Sequence, residues 1–261
     1  MKLNLERARK RKRGIEQLEL LGSNPEHVLV VHYSCESFYD RPEGASPRIT
    51  SLAVRNLGTG LTESFSIHQV AEPKGIAAKD IAGNYNELES EMLVAFSAFI
   101  ERHDKYSWVH WNMGDTNYGF PAIEHRTRVL GEEPASVPEQ KRVDLARVLV
   151  DLFGRKYMNH PRLEMLVAKN KITDLNFLTG KEEAAAFENG NYVGLHQSTL
   201  RKVDILSNIL ERAMDRSLKT NASFGEVYGG WFPVMIVFIQ EHWIISHISF
   251  LGLIVGIWQA F

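Results

Sequence analysis

Residues 27–38, HVLVVHYSCESF, decide how the chain is read. Val28 to Val31 form an apolar, mostly β-branched run that turns polar at Ser34 and Glu36, as a central strand does when it delivers side chains to a site. The loop DRPEGASPR follows, dense in proline and glycine. Arg48–Asn56 and Glu63–Val70 alternate as two strands joined by a turn at Gly58–Gly60, which predicts a hairpin. From Asn86 to Arg102 the apolar residues Leu88, Met92, Leu93, Phe96, Phe99 and Ile100 recur at three- and four-residue spacing, the period of a helix. Tyr106–Asn112, YSWVHWN, reads as a further buried strand. Helices are expected at about 117–130, 139–153, 161–168, 181–187 and 196–220. The order strand, hairpin, helix, strand, then helices predicts an α/β domain over residues 25–222. Ligand sites in such sheets sit at the carboxyl ends of strands. Those ends carry Ser34 and Glu36 after the first strand, and Asn112 and Asp115 after the strand near residue 110.

The whole chain is nearly neutral: 261 residues carry 30 basic and 32 acidic side chains, a net charge of -2. That average argues against a protein that coats nucleic acid, and 44% hydrophobic residues argue against a disordered acidic chain. The single cysteine, Cys35, excludes an internal disulfide framework and a cysteine-rich zinc site, which favours a reducing compartment. With no histidine partner in view and Glu36 beside it, Cys35 is expected to be an inert strand cysteine. Trp108 and Trp111 are expected in the core or at an interface, and His110 and His125 as structural histidines.

The two ends depart from the average. Residues 1–14, MKLNLERARKRKRG, carry a charge of +6, leaving -8 for the other 247. Their composition propagates helix, and Ile15, Leu18 and Leu21 continue an apolar stripe, so residues 1–24 are read as a basic N-terminal helix. Arg7, Arg9, Lys10, Arg11, Lys12 and Arg13 are candidates for binding the phosphates of nucleic acid or of anionic lipid headgroups; a solvated helix face is the alternative. No apolar stretch of signal-peptide length follows them.

At the other end, Trp243 to Phe261 is nineteen residues without Asp, Glu, Lys or Arg, roughly 28 Å as a helix and close to the thickness of a hydrocarbon core. Residues 231–261 therefore read as a transmembrane helical tail. Trp231, Trp243 and Trp258 would mark headgroup levels, and Glu241 would be an ionisable group at membrane depth. A buried core helix, or a helix against another subunit, is the alternative. The cations Arg201, Lys202, Arg212, Arg216 and Lys219 precede the tail, which predicts that the folded part stays on the cytoplasmic side.

The strand ending SCES, the hairpin, the helix, then HWNMGDTNYGF, RVDLARVL and the late STLRKVDILSNIL resemble the plan of ribonuclease H-like DEDD 3'-5' exonucleases over about residues 27–212. The resemblance implies a mixed sheet flanked by helices and a two-magnesium site held by carboxylates, one ion activating water and the other stabilising the leaving oxygen. Against the family's Asp-x-Glu pair the chain has Ser34-Cys35-Glu36, so Glu36 matches and Ser34 replaces the aspartate. Asn112 and Asp115 stand three apart where the family has four, and His196 and Asp204 stand in the late helix at a shifted spacing, with Lys202 nearby as a cation able to occupy a metal's place.

Two functions follow. One is a membrane effector resembling those of retron-type bacterial antiphage systems. In it, an exonuclease-like domain without activity, needing no cofactor, holds a nucleic-acid or nucleoprotein partner, a reverse transcriptase among the candidates. The tail then perturbs the bacterial inner membrane, its lipid and further copies of the chain being the other partners. The alternative is a membrane-tethered Mg-dependent 3'-5' exonuclease using Glu36, Asp115 and Asp204.

Overall fold

The computed structural model describes residues 2–36, 46–114 and 118–228. Helix α1 (Lys2–Ser23) leads into strand β1 (Val28–Cys35), followed by β2 (Ile49–Asn56), β3 (Thr62–Ser66), α2 (Ile67–Ala71) and α3 (Tyr85–Arg102). Then come β4 (Ser107–His110), α4 (Phe120–Val129), β5 (Arg142–Asp144), α5 (Leu145–Phe153), α6 (Arg162–Asn170), α7 (Gly180–Glu188), α8 (Tyr192–Met214) and α9 (Phe224–Tyr228).

The described residues form one five-stranded sheet in the order β3-β2-β1-β4-β5. β1 runs antiparallel to β2 and parallel to β4, β2 is antiparallel to β3, and β4 is parallel to β5, so β2 alone is reversed. Every residue of β1 is buried, which explains its unbroken apolar run: a central strand covered on both faces has no polar face to alternate with. Val28 and Val30 pack with Leu145, Leu149, Ile205, Leu206 and Ile209 of α5 and α8. Leu29, Val31, Tyr33 and Cys35 point the other way, to Met92, Phe96 and Phe99 of α3 and Phe120 and Ile123 of α4. The fold is therefore helix, sheet, helix in three layers. Trp108 lies inside the second layer with Phe96, Phe99 and Phe120 edge-on at 6.0–6.3 Å, a core role.

Several elements differ from the expectation. The second hairpin strand stops at Ser66, because Ile67, Val70 and Ala71 lie at helical spacing and turn the chain into α2. The helix expected over 139–153 is split: Arg142–Asp144 pairs with Trp108–His110 as an edge strand, and the helix starts after it with Asp144 as its cap. The helix expected from 117 starts at Phe120, after Gly119. Gly119 has φ 138° and an added Cβ would fall 2.0 Å from the Met113 carbonyl oxygen, so only glycine fits the close turn. The basic N-terminal helix packs on the domain: Leu18 and Leu21 belong to the main core, and Gly14 lets α1 approach Leu152 of α5.

Polar pins hold the layers in register. Glu89 of α3, fully buried, accepts from the Ile49 backbone N–H and from both the Nε and Nη2 of Arg126, tying α3 to the edge of β2 and to α4. Burial pushes the Glu89 carboxyl above its ordinary value, and Arg126 opposes that push. Arg126→Met should therefore leave an uncompensated buried carboxylate and lower the unfolding free energy by about 3 kcal/mol or more, read as a fall in the urea midpoint.

Candidate functional site at the carboxyl end of β1

Alternation along β1 puts His32 and Ser34 on the face that α8 covers, one turn beyond the apolar contacts of Val28 and Val30. Pairing registers Ser34 with Ser51 and Ser51 with Ser66, so three serines cross three neighbouring strands in one row. Above this row sits Thr199 of α8, whose hydroxyl lies 2.7 Å from that of Ser34 and 2.6 Å from that of Ser51. The sheet-to-helix contact is thus apolar at one end of the strand and polar at the other.

α7 completes the polar end. Thr179 and Glu182 form a capping box that starts α7, and the next residue, Glu183, points inward. Its Oε1 accepts from Ser34 at 3.0 Å and from Ser198 at 2.9 Å, and stands 2.7 Å from Nζ of Lys202. Both charged side chains are nearly enclosed, at 7% exposure for Lys202 and 13% for Glu183. The Lys202 ammonium also lies 5.3 Å from the Phe177 ring centroid. Unpaired, either charge would be costly at this depth; together they make a neutral cluster.

Histidines border the cluster. His32 is buried, and its Nε2 has no hydrogen-bond partner among the described residues. Burial, and then the nearby Lys202 charge, hold its pKa well below the ordinary imidazole value, so it is neutral. His196 of α8 is also buried with Nε2 unpartnered among the described residues, and its ring centroid lies 5.0 Å from that of His68, whose Nδ1 lies 3.0 Å from the Ser66 hydroxyl. Burial and then His68 lower the His196 pKa to about 4.

The two described carboxylates of those expected to hold magnesium, Glu36 and Asp204, are not gathered. Glu36 is near the cluster in sequence, but its Oε2 is 2.6 Å from Arg48 Nε, and Arg48 in turn lies over the rings of Tyr85 and Phe187. Asp204 faces away from the cluster: it pairs with Arg55 at 3.4 Å and Arg201 at 3.7 Å, and Arg55 is registered with Val30. Val30 precedes Glu36 by six residues, roughly 20 Å of strand. There Asp204 lines an open groove of about 450 Å³ with Arg55, Lys171, Arg201 and Arg212. Asp115 lies outside the described residues. Asp144, at the carboxyl end of β5, serves the backbone instead: its Oδ1 accepts from the Asn112 and Ala146 N–H groups. No group of three or more His, Cys, Asp or Glu side chains among the described residues is arranged to hold a metal ion.

The basic candidates also separate. Arg7 donates to the carbonyls of Asp151, Leu152 and Glu226, closing the end of α5 and fastening α9. Arg11 stacks on Tyr228 at 4.5 Å from the ring centroid and reaches its hydroxyl at 3.4 Å. Lys10 pairs with Glu6 at 2.6 Å. Arg9, Lys12 and Arg13 belong to exposed positions of α1. Trp231, Glu241, Trp243 and Trp258 lie outside the described residues, and among the described residues no helix is long and apolar enough to cross a membrane.

Comparison with family models and with curated proteins finds no match to this sequence.

The neutral histidines give the site a pH signature. In the unfolded chain His196 titrates near 6.5 and in the fold near 4, so between these values the unfolded state binds more protons and stability falls as pH falls. The loss is at most about 1.4 kcal/mol per pH unit for this group. Unfolding measured from pH 7 to 4 should be less steeply pH-dependent in His196→Gln than in the parent chain.

Proposed function

We propose that this chain is a membrane-tethered, non-hydrolytic domain of ribonuclease H-like architecture that holds a nucleic-acid or nucleoprotein partner, in the manner of a membrane effector of a bacterial antiphage system. The observation that carries the non-hydrolytic part is the Lys202–Glu183 pair at 2.7 Å beside Ser34. A two-metal site needs several carboxylates to balance two dications. Here the strand residue that would start such a set is a serine, the carboxylate beneath it is neutralised by a fixed ammonium, and a dication entering the cluster would meet that ammonium at close range. Serine and threonine hydroxyls satisfy one another where metal ligands would stand.

The architecture supports the same reading. A mixed sheet presents its first strand's carboxyl end beneath a late helix, the placement that the motifs SCES and STLRKVDILSNIL suggested. The membrane part of the proposal rests on the composition of residues 231–261.

Purified full-length chain should leave single-stranded DNA and RNA intact in Mg²⁺ or Mn²⁺, and Glu36→Ala should behave identically. Metal-dependent 3'-5' digestion that Glu36→Ala abolishes would establish the exonuclease alternative. Deletion of residues 231–261 leaves every described element in place and should move the protein from the membrane to the soluble fraction; membrane association that persists would remove the tail as the anchor.

A further inference from the structure

Helix α1 carries its cations on two faces, and the structure separates their roles. At 100° per residue, Arg7, Arg11, Gly14, Leu18 and Leu21 share the packed side with Lys10 at its margin, while Arg9, Lys12 and Arg13 lie opposite. The packed arginines are structural: Arg7 binds the Glu226 carbonyl and Arg11 the Tyr228 ring and hydroxyl, so α1 is clamped onto α9. α9 ends at Tyr228, and Trp231, the first residue of the apolar tail, follows three residues later, within roughly 10 Å of extended chain. The arginine clamp thus holds α1 against α9, the last described element before the apolar stretch, with Arg9, Lys12 and Arg13 on the opposite, exposed face.

The loop after α5 adds to the same region. Arg155 and Lys156 are exposed. The Glu6 carboxyl is held below its ordinary value by Lys10 first and then by Arg13 and Arg155. Glu226 is lowered by the Ser223 N–H and hydroxyl, with a smaller contribution from Lys156. Arg155 and Lys156 follow Gly154, which approaches the Arg7 side chain and the Glu226 carbonyl, so this loop lies beside α9.

We propose that the outer face of α1, centred on Arg9, Lys12 and Arg13, is a docking surface for an anionic lipid bilayer, laying α1 on the headgroups. This deepens the membrane-tether reading and rests on it. Charge complementarity argues for the lipid: juxtamembrane basic clusters are drawn to anionic leaflets, at about 1 kcal/mol per cation near the surface, or roughly fivefold in partition. The apolar tail supplies the proximity that makes so modest an attraction sufficient, because the second contact is then intramolecular.

The test uses full-length chain with a fluorophore on Leu20→Cys, an exposed and uncharged position of the same face of α1, in vesicles whose headgroups carry a nitroxide quencher. Vesicles are either pure phosphatidylcholine or phosphatidylcholine with phosphatidylglycerol, and unlabelled-site background is measured on the parent chain, whose cysteine, Cys35, is buried. The expected result is insertion into both vesicle types, with stronger quenching in the anionic one that disappears at high salt and in Arg9→Glu/Arg13→Glu. The salt arm needs no substitution, so it decides the matter even if the reversed variant misfolds. Association with anionic vesicles alone, reversed by salt, would support the docking face and overturn the membrane-spanning tail. Insertion with equal quenching in both compositions, or protection of the label by a single-stranded oligonucleotide and not by phosphatidylglycerol, would overturn the docking face and leave the tail standing. Association with neither vesicle would overturn both.

Discussion

A buried ammonium must have a partner, and the position of that partner organises the polar half of this fold. Lys202 of α8 meets Glu183 of α7 at 2.7 Å, and Glu183 also accepts from Ser34 of β1 and Ser198 of α8. One carboxylate thus ties two helices and the central strand together. Removing either charge would leave the other stranded in a region where His32 is kept neutral by burial, a situation that costs several kcal/mol. The row of serines across β1, β2 and β3 belongs to the same constraint, since small hydroxyls can satisfy each other and Thr199 in the space a larger residue would fill.

The rest of the molecule is divided by this constraint. Toward the start of β1 the sheet meets α8 through Val30, Ile205, Leu206 and Ile209, an ordinary apolar contact. Toward its end the same two elements meet through hydroxyls, an ion pair and two imidazole nitrogens without partners among the described residues. A polar interior at the carboxyl end of a central strand is where α/β proteins place their sites. Its neutral charge balance suits retention of a shape, or contact with a partner, better than the management of two dications.

The sequence disclosed those elements whose own pattern decides them. β1, β2, α3 and β4 have periodicities that survive in the fold, and the polar turn at Ser34 marks the end of β1 where the buried hydroxyls and the Lys202–Glu183 pair lie. β5 was hidden because three residues carry no period, and its pairing with Trp108–His110 is a tertiary fact. Asp204 was misplaced for a related reason. Five residues beyond Thr199, it comes only about 7.5 Å further along α8 but on another side of the helix, facing Arg55 and Arg201 and turned away from Ser34. Glu183 carries no sign of its role in the sequence, although the Thr179 and Glu182 capping box marks a helix start just before it. Its partner lies nineteen residues away, on another helix, and no local pattern reports that.

The central proposal is that Lys202 stands in the place of metal ions. Equilibrium binding of Mn²⁺ to the purified full-length chain, read by the loss of the free-ion electron paramagnetic resonance signal, tests it most directly. No saturable binding is expected in the parent chain. Stoichiometric Mn²⁺ binding that disappears in Glu36→Gln or Glu183→Gln would contradict the account.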